Sequence, residues 1–169
     1  FAAACESARG KSRSDGGDGA SMPGKDTLRE HPEPGPVILV AEDVHVNLML
    51  TKALLSRFFP SMSILEAGNG QAAIRKYREC HPDLILMDVQ MPEMDGLAAA
   101  KAIRQLERSS GGHVPIIALS AATLKEEREN CYQAGMDDFI TKPVEAKKLQ
   151  AILVKYLPGK TNAVTRKPS

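Results

Sequence analysis

The sequence predicts an α/β fold, a parallel sheet with helices on both faces. Three observations predict it. Short, continuously apolar runs such as Val37-Ile38-Leu39-Val40 and Leu84-Ile85-Leu86-Met87 read as strands covered on both sides. Between such runs lie segments whose apolar residues return at helical spacing. The two kinds of segment alternate five times from Pro36 to Pro158, which suits parallel strands joined by helical crossovers.

Each element has its own grounds. After the first strand, Val46, Leu50, Ala53 and Leu54 fall at i, i+4, i+7 and i+8 and pick out an apolar helix face. Ser63 to Ala67 is a weaker strand because Glu66 interrupts it. Gly70 to Cys80 is a helix with Ala73, Tyr77 and Cys80 on one side. The run Leu84 to Met87 is a strand ending at Asp88. Gly96 to Ser109 reads as a helix with Ala99, Ile103 and Leu106 inward. Val114 to Leu119 is a strand whose Pro115 sits near its start, where a missing ladder donor is tolerated. Leu124 to Ala134 is a more polar helix closed by Gly135, and Asp138 to Thr141 a short fifth strand. Lys142-Pro143 then leads into a helix striped by Leu149, Ile152, Leu153, Tyr156 and Leu157.

The flanks differ from this core. Residues 1–35 are rich in glycine and serine, with Phe1, Met22 and Leu28 as the large apolar side chains, so little surface is available to offset the entropy of ordering. They are expected to form a flexible linker, stiffened at its end by Pro32, Pro34 and Pro36. Residues 159–169 are expected to be a disordered basic tail. A start at Phe1 rather than Met reads as a fragment or a processed chain, without a signal peptide.

Composition excludes several classes. Of the 169 residues, 43% are hydrophobic and 25% charged, as in ordinary soluble domains. A net charge of +1 gives no bulk argument for nucleic acid, and no apolar run approaches the roughly 18 residues of a membrane span. Cys5, Cys80 and Cys131 lack Cys-x-x-Cys spacing, which suits a reducing, cytoplasmic setting and neither a disulfide framework nor zinc.

In sheets of this kind the functional crevice lies beyond the carboxyl ends of the strands. There the sequence places Glu42-Asp43, Asp88, Ser120 and Lys142. At about 4 Å and an effective dielectric near 20, a pair of like charges costs roughly 4 kcal/mol. A core gains nothing from that crowding, whereas a hard divalent cation relieves it. Mg2+ suits a few carboxylates supplemented by waters and phosphate oxygens. With a phosphoryl group present, an Asp carboxylate is a feasible nucleophile. The ammonium of Lys142 and the hydroxyl of Ser120 would then offset charge on its oxygens.

Four segments carry a resemblance to a known family: Val40-Ala41-Glu42-Asp43, Leu86 to Gly96 with its Met-Pro-Glu-Met-Asp-Gly run, Ala118-Leu119-Ser120-Ala121, and Gly135 to Pro143. In order and interval they resemble the receiver domains of two-component response regulators, over the whole of residues 36–158. The Ala-Gly-Asn-Gly-Gln-Ala-Ala turn and Asn47 are most similar to receivers of hybrid histidine kinases. The resemblance implies a flavodoxin-like, doubly wound sheet of five strands in the order 2-1-3-4-5, with five helices.

It also implies roles. Asp88 would accept a phosphoryl group from phosphohistidine in a phosphorelay. Asp43, Asp88 and the backbone carbonyl of Gln90 would ligate Mg2+, and Glu42 would act through a bound water. Lys142, in a Lys-Pro bond usually cis in the family, would pair with the phosphoryl oxygens. Ser120 would move towards the phosphate while Phe139 turns inward, and Gln90 and Ala122 would tune hydrolysis. The implied protein is a signalling phosphoacceptor with self-catalysed phosphorylation and dephosphorylation, not a conventional enzyme. Its partners would be a histidine kinase transmitter or a histidine phosphotransfer protein, without direct contact to nucleic acid or membrane. It could dimerise on phosphorylation, and it would work in the cytoplasm, on its own or tethered to a membrane-bound kinase. The amino-terminal linker and the lack of a domain after Pro158 fit these settings better than a transcription factor.

Other motifs compete. Gly68-Asn69-Gly70-Gln71-Ala72-Ala73 fits the dinucleotide pattern Gly-x-Gly-x-x-Gly/Ala, with Asp88 the following acid, and would make the chain part of an oxidoreductase. That alternative leaves Glu42, Asp43, Ser120 and Lys142 unexplained. A degenerate receiver serving only as a docking module is a further alternative, which the complete acidic set disfavours. His31, His45, His81 and His113 have no ligand spacing and read as surface or loop residues. Glu126 to Asn130 reads as a solvated helix face with an alternative part in signalling.

Overall fold

The computed structural model describes residues 35–121 and 125–158. Ala122, Leu124, His31, Cys5, the expected tail and all of the expected linker but Gly35 lie outside them. Among the described residues the order is β1 (Val37–Ala41), α1 (His45–Phe58), β2 (Ser63–Ala67), α2 (Gly70–Cys80), β3 (Leu84–Asp88), α3 (Gly96–Ser110), β4 (Ile116–Ser120), α4 (Lys125–Gln133), β5 (Asp138–Thr141) and α5 (Ala146–Tyr156). The five strands form one sheet in the order β2-β1-β3-β4-β5, and every pairing is parallel. This is the flavodoxin-like arrangement.

The central strands β1, β3 and β4 are buried at all five positions, which is why they read as unbroken apolar runs. Alternate residues Ile38, Val40, Leu84, Leu86, Ile117 and Leu119 join Leu48, Leu55, Leu149, Ile152 and Leu153 in one core cluster with α1 and α5. The intervening residues point to the other face by the period of two along a strand. On that side α2 packs against β1, β2 and α3. Edge strand β2 tolerates Glu66, which is exposed and paired with Lys52.

Two helix faces differ from expectation. In α1 the buried residues are Leu48, Thr51 and Leu55, while Val46 is 75% exposed and Leu50 and Ala53 also face solvent. Apolar residues nearly surround this helix, so spacing alone cannot choose its inner face. In α3 the buried position after Ile103 belongs to Glu107 rather than Leu106. Its carboxylate accepts from Val114 N at 2.6 Å and Arg104 Nη1 at 2.6 Å, so the buried charge is paired.

The strand starts are clamped by acids. Val37 N donates to Asp83 Oδ2 at 2.8 Å and Asp83 N returns a bond to the Val37 carbonyl. Asp137 does the same for Ile116, and also accepts from Arg104 and binds His113 at 2.5 Å. Cys131 is a buried free thiol.

Candidate functional site

The order β2-β1-β3 means that the chain leaves β1 and β3 in opposite directions, opening a crevice beyond their carboxyl ends. Asp88 ends β3 there and is 4% exposed. Its Oδ1 accepts from Gln90 N at 3.1 Å and its Oδ2 from Lys142 Nζ at 2.6 Å. The turn after it brings Gly96 so close that a Cβ would lie 2.0 Å from the Asp88 carbonyl oxygen. Gly96 N donates to Val89 O, Val89 N donates to Leu119 O, and the Asp95 side chain caps α3 through Ala98 N. The Met-Pro-Glu-Met-Asp-Gly run is thus the turn that fixes the Asp88 backbone.

Glu42 is 2% exposed. Its Oε1 accepts from Asn47 Nδ2 at 3.1 Å and Val44 N at 3.2 Å. Its Oε2 has no partner in hydrogen-bond geometry but lies 2.6 Å from Lys142 Nζ as an ion pair. Lys142 therefore bridges two buried carboxylates. The bond from Lys142 to Pro143 is cis, and Lys142 N donates to Ser120 O at 2.8 Å. Asp43 is exposed, and ligand atoms of Glu42, Asp43 and Asp88 lie within 4.8 Å of one another.

Burial raises the pKa of Asp88 above its ordinary value, outweighing the hydrogen bonds from Lys142 and the Gln90 amide. Burial pulls Lys142 down, but its hydrogen bond to Asp88 and the charges of the Asp88 and Glu42 carboxylates beside it leave it raised. One ammonium pairs with two of the three carboxylates, and Asp43 is left without it. The donors are all oxygens, with a buried Glu42 Oε2 lacking a hydrogen bond, so the residues present fit a hard divalent cation such as Mg2+. An open cleft of about 650 Å3 leads to them, lined by Asp43, Gln90, Met91, Asp95, Glu127 and Asn130 among others.

Ser120 ends β4 next to Leu119, the register partner of Asp88, and its Oγ donates to Glu127 Oε2 at 3.1 Å. Phe139 on β5 is half-buried, with the Arg128 guanidinium 3.8 Å from its ring centroid. Two members of the supposedly solvated run in α4 thus hold the two switch candidates. The sequence singled out Asn47 and Gly96 without giving them work. Asn47 orients Glu42, and Gly96 lets α3 begin against Asp88. For Glu127 the available signal was its place in the first turn of the helix that follows Ser120.

The dinucleotide alternative fails on the same geometry. At the start of α2, Gly70 N donates to Met94 O, Ala72 N is capped by Asn69 Oδ1, and Met94 packs on Gly70. The amides that would bind a pyrophosphate are already used.

The model of the response regulator receiver domain matches residues 38–154. The hybrid signal transduction histidine kinase I of Dictyostelium discoideum is 40% identical over 121 residues, covering 69% of this chain and 7% of that protein. The curated relatives are much longer proteins, of which this chain spans 7 to 16% in the Dictyostelium kinase and in histidine kinase 5 of Arabidopsis thaliana. Among solved structures, the receiver domain of the Pseudomonas aeruginosa sensor histidine kinase PA1611 superposes with a TM-score of 0.66 and 38% identity. It covers 74% of this chain and 99% of that one, and has a magnesium ion coordinated in its active site cleft. The receiver of the Saccharomyces cerevisiae response regulator Ssk1, crystallised with the phosphotransfer protein Ypd1, gives 0.69 at 29% identity, over 79% and 94% of the two chains. With its parallel sheet, its acidic crevice and its match over residues 38–154, this chain belongs to the response regulator receiver domain family.

Proposed function

We propose that Asp88 is the phosphoacceptor of this receiver and takes its phosphoryl group from a phosphohistidine. The observation that carries the reading is Lys142 Nζ, 2.6 Å from both Asp88 Oδ2 and Glu42 Oε2, beside a third carboxylate at Asp43. In the transfer, an Asp88 oxygen forms a bond to phosphorus as the phosphorus–imidazole bond breaks. The product is an acyl phosphate, and the leaving nitrogen keeps the electron pair and is protonated from solvent. Lys142 stays within reach of the oxygens that gain charge, and Ser120 supplies a hydroxyl from the neighbouring strand end. Asp43, Asp88 and the Gln90 carbonyl would hold Mg2+, with Glu42 acting through water. When bound, that cation offsets charge on the transferring phosphoryl oxygens. Water would later remove the group in the same site.

Residues 36–158 carry that activity in the cytoplasm, on their own or as part of a hybrid kinase. No helix among the described residues is long and apolar enough to cross a membrane. Val44, Val46, Met49 and Leu50 expose an apolar surface beside Asp43, suited to a helical phosphotransfer partner. The test is intact mass after incubation with acetyl phosphate and Mg2+. One phosphoryl group is expected on the wild type and none on Asp88→Asn or after chelation by EDTA. Equal gain by Asp88→Asn would overturn the assignment.

A further inference from the structure

Ser120 has one hydroxyl proton, and it is donated to Glu127 Oε2 at 3.1 Å. A hydroxyl cannot give that proton to two acceptors at once. For Ser120 to donate to a phosphoryl oxygen on Asp88, Glu127 must lose it. The next residue, Arg128, lies over the ring of Phe139 at 3.8 Å. Consecutive residues of the first turn of α4 thus touch both switch candidates. Glu127 also lines the cleft that leads to Asp43 and Gln90, so a phosphoryl dianion arriving there repels its carboxylate.

We propose that Glu127 is a positioning residue that latches Ser120 in the unphosphorylated state and competes with the phosphoryl group for its proton. The proposal rests on the receiver reading above but adds a residue beyond the phosphoacceptor and the metal-ligand set. It makes the phosphorylation state of Asp88 and the position of the first turn of α4 alternatives for one hydrogen bond. Removing the latch then favours the phosphoryl-bound form, because less is given up when Ser120 turns.

The experiment is calorimetric binding of beryllium fluoride, a phosphoryl mimic, in saturating Mg2+ to the full chain. Wild type, Glu127→Ala, Ser120→Ala and the double variant complete a cycle. Glu127→Ala is expected to bind roughly tenfold more tightly than wild type, the scale of one charge-assisted hydrogen bond. In the Ser120→Ala background the same change is expected to alter affinity less than about twofold. An equal gain in both backgrounds would overturn the latch in favour of simple charge repulsion, and so would no gain or weaker binding by Glu127→Ala. Should Glu127→Ala lose cooperative unfolding, Glu127→Gln takes its place in the cycle, with a smaller gain and the same dependence on Ser120. No binding by the wild type would sink the receiver reading and the latch with it, whereas tight wild-type binding with an unchanged Glu127→Ala sinks the latch alone.

Discussion

Lys142 and Asp43 act in opposite senses on the same cluster, so substituting each gives a signed prediction. Lys142→Met leaves Glu42 and Asp88 buried without their cation, and without Mg2+ it is expected to cost about 3 kcal/mol of stability. Asp43→Asn removes one of three carboxylates whose oxygens lie within 4.8 Å. Because Asp43 is exposed, solvent reduces the relief, and a gain of about 1 kcal/mol is expected. Urea melts in EDTA measure both, and the same sign for the two would contradict the electrostatic account. At this scale the sequence was legible where charge stood at a strand end. Glu42, Asp43, Asp88 and Lys142 could be read because three strand ends meet at one rim. The particular bonds of Glu127 and Asn47 could not, since they depend on side-chain directions that spacing does not give.

The elements show a similar division. β1, β3 and β4 were readable because burial on both faces leaves an unbroken apolar run that nothing else explains. The inner face of α1 was not readable, since Thr51 is buried while Val46 and Met49 face solvent. An apolar surface beside the crevice is what a docking helix needs, and it erases the contrast on which periodicity relies. Glu107 misled for another reason: a buried acid is invisible until its partners Arg104 and Val114 are known. Glu107→Ala is expected to cost about 2 kcal/mol by leaving the buried Val114 amide without an acceptor and Arg104 with one carboxylate instead of two, again read by urea denaturation. Gly96→Ala forces a Cβ against the Asp88 carbonyl oxygen, 2.0 Å away without adjustment. It is expected to cost about 2 kcal/mol and to slow acetyl phosphate labelling by displacing Asp88. Wild-type labelling by a fully stable Gly96→Ala protein would show that α3 does not position the acceptor.

For the whole molecule, sheet order and charge converge on one consequence. A ligand that binds only the folded state stabilises it by about 1.4 kcal/mol at ten times its dissociation constant. Mg2+ at that level is expected to raise the melting temperature by roughly 5 °C. Asp88→Asn is expected to abolish most of the rise, and calorimetry with Ca2+ and K+ alongside checks that the effect is not ionic strength. The parallel strands bring together residues as distant in sequence as Glu42 and Lys142, and only the folded sheet makes them a site. The most direct measurement is a crystal structure of the chain with Mg2+ and beryllium fluoride. The account predicts one ion held by Asp43, Asp88 and the Gln90 carbonyl, with the fluoride cap on Asp88 facing Lys142 and Ser120. An ion bound elsewhere, or an Asp88 carboxylate left without the cap while Lys142 still bridges it to Glu42, would contradict it.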